Sequence, residues 1–341
     1  MVAIVTPSDI NWPYNWQELS REINLIPKEW GRLRELGLFA AQGISTTMVE
    51  IAFTAGKVRV LAAVPRGTEG SRGTQDPENS VILKIPHFNH TETLAPEDLQ
   101  DRLVFGSGRK QLRKLDVETV KKLAIIRRNI LQTREFVCMG ALKGLIIDGK
   151  GASIYNLFTV FGVEQKVVDF ALGTEGTDVM AKCHEVVDHI EDNLKGDTAT
   201  GVRCLVDQGF FDKLTQHPGV EKYFLQHTGA VALEAARQAR RFSFGGIDFE
   251  VYRAKVTGVD GVNRKFIATG EGHAYPEGTE ETFDLYDGPP HHITQVNTEG
   301  MEMFVTDKVL DHGRGVELLG QANMLPVCNQ PAVLVKVYSS N

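Results

Sequence analysis

The sequence predicts an α+β fold, and three observations carry that prediction. Apolar residues alternate with a period of two from Thr46 to about Phe88. They then recur at three- and four-residue steps from Asp116 to Ile147. After that, strand-like and helix-like runs follow each other without βαβ repetition and without an internal repeat. The 341 residues are 42% hydrophobic and 24% charged. That is an ordinary globular balance, with enough chain for two domains or one elaborate one.

Residues 1–44 carry Trp12, Tyr14, Trp16 and Trp30, interrupted by Pro7, Pro13 and Pro27. So broken a segment builds no core of its own, and it is expected to lie across another surface as an arm. Its start, MVAIVTPSDINWPYN, has neither a basic region nor a sustained apolar run, so no signal peptide is expected. In the next stretch Thr47, Val49, Ile51 and Phe53 share one face. A turn at Ala55-Gly56 then precedes Val58, Val60, Ala62 and Val64, which reads as a hairpin. A Gly/Arg-rich loop follows, and SVILKIPHF is a further strand ended by Pro86. Residues 46–90 thus form an elongated β arm, reaching about 3.3 Å per residue.

TETLAPEDLQDRL is a helix entry, with Pro96 in its first turn and Glu97 and Asp98 beside it. The longest helix is expected over Asp116–Ile147, capped by Asp116 and ended by Gly149. Its apolar stripe is Val117, Val120, Ala124, Leu131, Cys138, Ala141, Leu142 and Leu145. Lys121, Lys122, Arg127 and Arg128 occupy its other faces, and Gly140 and Gly144 predict a bend or close packing. Beyond it, GASIYNLFTVFG is strand-like and TDVMAKCHEVVDHIEDNL is a helix with an acidic outer face. GVRCLVDQGFFDKL is a strand feeding a helix, GAVALEAARQARR a helix, and FSFGGIDFEVYRAKV a hairpin on Gly245-Gly246. KFIATGEGHAYPEGT is a strand and a turn-rich stretch. VELLGQANMLPVCNQPAVLVKVYSS gives a strand, a Pro-bounded break and a final strand.

A net charge of -7 argues against a nucleic-acid clamp. The charge is segregated, however. Arg102 to Arg134 holds ten Lys and Arg against Asp116 and Glu118, a balance of +8. Glu164 to Asp197 holds nine acids against Lys166, Lys182 and Lys195, a balance of -6. Such segregation suits contacts between subunits, or one face turned to a polyanion. Cys138, Cys183, Cys204 and Cys328 form no CxxC pair, so a reduced setting is expected and a zinc knuckle is not. No run approaches the roughly 20 apolar residues that span a bilayer.

The motifs that invite chemistry fail on spacing. In AAVPRGTEGSRGTQDPEN, Gly67, Gly70 and Gly73 recur every third residue among Arg66 and Arg72. A phosphate loop needs GxxxxGK[ST], and a dinucleotide fingerprint needs GxGxxG opening a helix. Neither is present, so this run is a loop tip. FGSGRKQLRKL puts Arg109, Lys110, Arg113 and Lys114 beside a Gly-Ser-Gly run, which suits a diffuse phosphate contact better than a specific site. In HEVVDH, His184 and His189 are five apart, about 140° around a helix, which argues against the HExxH zinc geometry. His184 with Asp188 is instead expected on a solvated face. His291-His292 is a weak metal signal in a loop, and Cys138 on the helix stripe belongs to the core. No nucleophile elbow and no converging catalytic set emerges, so no enzyme and no cofactor is expected.

This order of parts resembles the phage capsid protein E family, the group of the lambda major head protein. The resemblance rests on VPRGTEGSRGTQDPENSVILKIPHFNHTETLAPEDLQDR, GEGHAYPEGT and GVELLGQANMLPVCNQPAVLVKV, and it covers nearly the whole chain. It implies the Hong Kong 97-type capsid fold. Residues 1–44 would be the N-terminal arm, 45–100 the extended loop, and 101–173 the peripheral domain with a spine helix at 116–147. Residues 174–292 would be the axial domain, and 293–341 the return to the peripheral domain. The function implied is a tailed-phage major capsid protein, forming hexamers and pentamers in an icosahedral shell around double-stranded DNA. A separate scaffolding protein and a portal would be partners, and a decoration protein is an option. The place implied is the virion, with host cytoplasm during assembly and no membrane.

Arg66, Gly67, Gly70, Arg72 and Gly73 would then meet a neighbouring subunit. The basic stretch Arg109, Lys110, Arg113, Lys114, Lys121, Lys122, Arg127 and Arg128 would face a neighbour or DNA. Some relatives join a loop Lys to an Asn of a neighbour. Lys57, Lys84, Asn323 and Asn329 match by type alone, and no crosslink is expected. Two alternatives remain, a cellular nanocompartment shell of the same fold and a metal-dependent hydrolase using His184, Asp188 or His291-His292.

Overall fold

The structure is a computed structural model. It describes residues 16–25, 31–54, 78–100, 115–227 and 237–340, and the account below concerns those residues. Its longest element is the helix α4, Leu115–Leu142, of 28 residues and about 42 Å. Asp116 and Glu118 in its first turn complement the helix dipole. The helix ends five residues before the expected Ile147. Gly144 turns the chain with a left-handed φ of 78°, and the Phe158 ring lies where any side chain at 144 would stand. Leu145–Ile147 then forms a strand, β5, paired with β6, Ser153–Asn156. The apolar spacing runs across the glycine, so periodicity alone overshoots. At Gly140 the backbone of Leu145 and Ile146 takes the space of a side chain, which is close packing.

The buried face of α4 differs from the expected stripe. Thr119, Leu123, Ile126 and Ile130 point inward, whereas Val117 and Val120 are 44% and 53% exposed. The N-terminal half of α4 carries apolar residues on two faces, and the sequence does not say which face the sheet takes. The sheet takes the Ile126 face because Gly320 admits it: a methyl group there would overlap the Ile126 side chain.

The sheet beneath α4 has five strands. Its spine is β16, Val316–Cys328, thirteen residues long. The antiparallel neighbours β15, Phe304–Val309, and β4, His87–Leu94, flank its first part, with Val316 opposite both Val309 and Leu94. β14, Phe283–Asp287, pairs with its second part, and β1, Ala40–Gly43, adds in parallel to β14. β16 runs through Pro326, and the break comes only after Cys328, at Pro331.

The second sheet has six strands in the order β7 (Lys166–Asp169), β17 (Val335–Tyr338), β13 (Glu271–Glu277), β8 (Gly201–Val206), β10 (Ile247–Val251) and β9 (Arg241–Phe244). β8 and β10 are parallel, as are β7 and β17. The helices α6, Val179–Asn193, and α7, Gln208–Gln216, bury their apolar faces in the same core. Gly245-Gly246 makes the expected turn between β9 and β10. β7 and β17 join this sheet from outside residues 174–292, while β14, inside that range, joins the other.

Several local expectations are corrected. The N-terminal segment contains a helix, α1, Trp16–Leu25, whose Leu19 and Ile23 pack on α4 and β15. Trp12, Tyr14 and Trp30 lie outside the described residues. The strand-like GASIYNLFTVFG splits into β6 and a short helix, α5, Leu157–Phe161. Asn156 caps it, accepting from the Phe158 amide at 3.1 Å. In KFIATGEGHAYPEGT the long strand is the later β13, and Asn263–Lys265 only closes a small hairpin, β12, with β11, Lys255–Thr257. Most of GAVALEAARQARR lies outside the described residues.

Candidate intersubunit surfaces

Arg66, Gly67, Gly70, Arg72 and Gly73 lie outside the described residues, as do Lys57, the Ala55-Gly56 turn and Arg109, Lys110, Arg113 and Lys114. Their base is described. β2, Met48–Thr54, and β3, Glu78–Lys84, form an antiparallel ladder with Met48 opposite Lys84. Its inner face, Val49, Ile51 and Leu83, belongs to the chain's own core. This apolar face is therefore covered within the chain at this end. The outward face carries Met48 and Ile82, the latter 65% exposed. Beside it lies an open groove of about 510 Å³, lined by Ser45–Thr47 and Pro289–Ile293 and closed by Val296 and Asn297. At its rim Ile293 is 85% exposed. Met48, Ile82, Ile293 and Val296 thus leave large apolar side chains in water near this groove.

The four described residues of the basic stretch do not form one face. Lys121 pairs with Glu118 at 2.8 Å, and Lys122 pairs with Glu92 at 3.1 Å. Arg128 is exposed, with no ion pair among the described residues. Arg127, expected on an outer face, is 2% exposed. Its guanidinium donates to the Ile23 carbonyl at the end of α1, and burial holds its pKa down. A cation at a helix C-terminus satisfies a carbonyl the helix cannot. Nothing in the sequence separates Arg127 from Arg128, because only the docking of α1 buries one of them.

Charge also fixes the N-terminal segment from inside. Arg134 of α4 makes two 2.8 Å bonds to the Asp287 carboxylate at the end of β14, and both are buried. Glu135 accepts from the Leu33 amide and the Tyr252 hydroxyl, each at 2.8 Å. Burial raises the Glu135 pKa more than these bonds lower it. Arg32 donates to Glu250 at 2.7 Å, and Arg203 bonds both Glu250 and Glu277. The acidic outer face of α6 is present, with Asp188, Glu191 and Asp192 exposed.

The remaining candidates are dispersed. His184 and Asp188 are exposed on α6, while His189 turns inward to the Ala332 carbonyl at 3.0 Å. The His291 ring faces His87, with centroids 6.2 Å apart. Among the described residues, no three His, Cys, Asp or Glu side chains are grouped so as to hold a metal ion. Cys138 is buried, and burial pushes its thiol up to about 12, far from a reactive thiolate. Asn323 is occupied by His87 and by the Pro289 carbonyl, and Asn329 bonds the Glu281 carbonyl and Asp284. Among the described residues, no helix is long and apolar enough to cross a membrane.

The family model for phage major capsid protein E matches residues 15–339. The major capsid protein of Salmonella phage Felix O1 is 30% identical, over 94% of this chain and 95% of its own length. That of Pseudomonas phage KPP10 is 25% identical, over 95% and 96%. Among solved structures, a putative prophage capsid protein of E. coli CFT073 superposes with a TM-score of 0.54 at 12% identity, covering 96% of this chain and 99% of its own. The capsid of cyanophage P-SCSP1u gives 0.52 at 12% identity, covering 93% and 94%. These two likenesses carry the fold, which is that of Hong Kong 97-type capsid proteins.

Proposed function

The chain belongs to the phage major capsid protein E family, and on that premise we propose how its surfaces serve a shell. It is a capsid shell protein of a tailed-phage virion and assembles from copies of itself. In our reading the copies form hexamers and pentamers that close an icosahedral shell around double-stranded DNA. Residues 1–44 act as the arm, 45–100 as the extended loop, 101–173 and 293–341 as the peripheral part, and 174–292 as the axial part. The observation that carries this reading is the exposed apolar foot of the loop, Met48, Ile82, Ile293 and Val296, beside an open groove. A monomer leaves these side chains in water, and a neighbour removes them.

The loop tip, Arg66 to Gly73, would reach that neighbour. Arg128 and the basic stretch before α4 would meet a neighbour or, without sequence preference, packaged DNA. The exposed acids of α6 would supply electrostatic register between neighbours. A scaffolding protein and portal would act during assembly in the host cytoplasm, and a decoration protein is an optional further partner. The test is electron microscopy of the purified chain, alone or with its scaffold. Closed particles or capsomers are expected, and compact monomers at high concentration would overturn the reading. Contents that are protein rather than DNA in native particles would favour a nanocompartment. A stoichiometric metal in the purified protein would revive the hydrolase alternative.

A further inference from the structure

Two histidines from distant parts of the chain meet where two open grooves adjoin. His87 opens β4 and lines a groove of about 670 Å³, and His291 lines the 510 Å³ groove from the loop after β14. Both are exposed, and their ring centroids stand 6.2 Å apart, with the rings at 64°. The chain holds each of them in place. Asn323 of β16 donates its side-chain NH2 to the Pro289 carbonyl, which can only accept. Its Oδ1 must therefore be the atom that faces His87, and it accepts from Nδ1 at 2.6 Å. That bond fixes the tautomer. In the neutral ring the proton sits on Nδ1, and Nε2 keeps its lone pair. His291 follows Pro289 and Pro290, and its backbone amide donates to Gln321 at 3.1 Å, so the ring is left for a ligand.

An imidazole whose other nitrogen donates to a carbonyl is the form in which histidine binds metals. Zinc bonds imidazole nitrogen at about 2.1 Å, which sets two rings sharing one ion roughly 5 Å apart, centre to centre, in a tetrahedral site. A small turn of two exposed side chains covers the difference. We propose that His87 and His291 together bind a divalent transition cation of the zinc, nickel or copper class, the ions that imidazole suits. Among the described residues no third His, Cys, Asp or Glu joins the pair, so water fills the remaining positions. Without a carboxylate in the group the site lacks a general base. The ion is then a staple that ties the loop carrying Ile293 to β4, and the inference stands apart from the capsid reading.

Titration of the metal-stripped chain with Cu²⁺, followed by electron paramagnetic resonance, tests it. One ion per chain is expected, with nitrogen couplings from two imidazoles. His291→Ala should leave one coupling and weaken binding at least tenfold, and His87→Ala should do the same. His184→Ala, at an exposed histidine on α6, should change nothing. Zn²⁺ at a hundredfold excess over its dissociation constant should raise the melting temperature by about 4 °C, and a chelator should reverse the rise. Copper held as tightly by the double variant, or zinc that leaves the melting temperature unmoved, would overturn the proposal. His87→Ala takes a donor from the buried Asn323. If that variant does not fold, His291→Ala decides alone, because the bond from 291 to Gln321 is made by the backbone.

Discussion

The two sheets of this molecule lean on different means of closure, with Glu250 and its Arg203 and Arg32 partners the charged exception in the six-stranded one. The six-stranded sheet is sealed by aromatic rings: Phe170 packs edge-on against Phe210 at 5.5 Å and against Phe249 at 6.4 Å, all three nearly inaccessible. Buried charge ties α4 to the N-terminal segment through Arg127 and Glu135, and to β14 of the five-stranded sheet through the Arg134–Asp287 pair. The burial of these rings draws mainly on apolar area removed from water, which is non-directional, with edge-on geometry adding a smaller preference. A buried ion pair holds one geometry, and it costs more to break by halves than to remove whole. The first region is thus a rigid block. The second is a set of directed ties, each releasable by one change.

The largest expected effects probe that contrast. Phe249→Ala and Arg134→Met should each lower the free energy of unfolding by about 3–5 kcal/mol, read from denaturant midpoints. The difference lies in rescue. Pairing Arg134→Met with Asp287→Leu should return most of the lost stability, because no buried charge is then left unpaired. No second substitution beside Phe249→Ala should do so without refilling the cavity. Equal rescue in both regions would break the comparison.

A pH measurement sharpens it. His273 on β13 is buried, and burial, aided by Lys143 and Lys336, lowers its pKa to about 3. In the unfolded chain histidine titrates near 6.5, about the ordinary value. The native state thus binds the proton less well, so stability is lost as pH falls from about 6.5 towards about 3. A His273→Leu variant should show a flatter acid limb than the parent in melting temperature against pH. Identical limbs would contradict the assignment.

Smaller effects follow on the tie side. Tyr252→Phe removes one donor from Glu135 and should cost about 1–3 kcal/mol. Lys121→Ala breaks only a half-exposed pair with Glu118 and should stay within about 0.5 kcal/mol.

Legibility follows the same division. The α+β class, the α6 helix, the β8–α7 unit and the β9–β10 hairpin were visible because each carries its own period or turn residues. The end of α4 was not, since the apolar spacing continues past Gly144 and only the Phe158 contact reveals the turn. The buried face of α4 is hidden from periodicity because Val117 and Val120 continue an apolar stripe that the fold leaves in water. Arg127 and Arg128 are neighbours with opposite fates, decided by where α1 docks. Ile293, the most exposed of the apolar rim, lies in a loop without period, where no pattern marks it. The polar ties Arg134–Asp287 and Glu135–Tyr252 join residues more than a hundred positions apart, a distance no local pattern spans.

In the function proposed above, the apolar foot of the loop joins copies of this chain into a shell. Sedimentation of the purified chain beside an Ile82→Asp, Ile293→Asp double variant tests it most directly. Both positions are exposed, so circular dichroism and melting temperature should match between the two. The parent should sediment as capsomers or shells, and the variant as monomers. A variant that assembles as readily as the parent would contradict the claim.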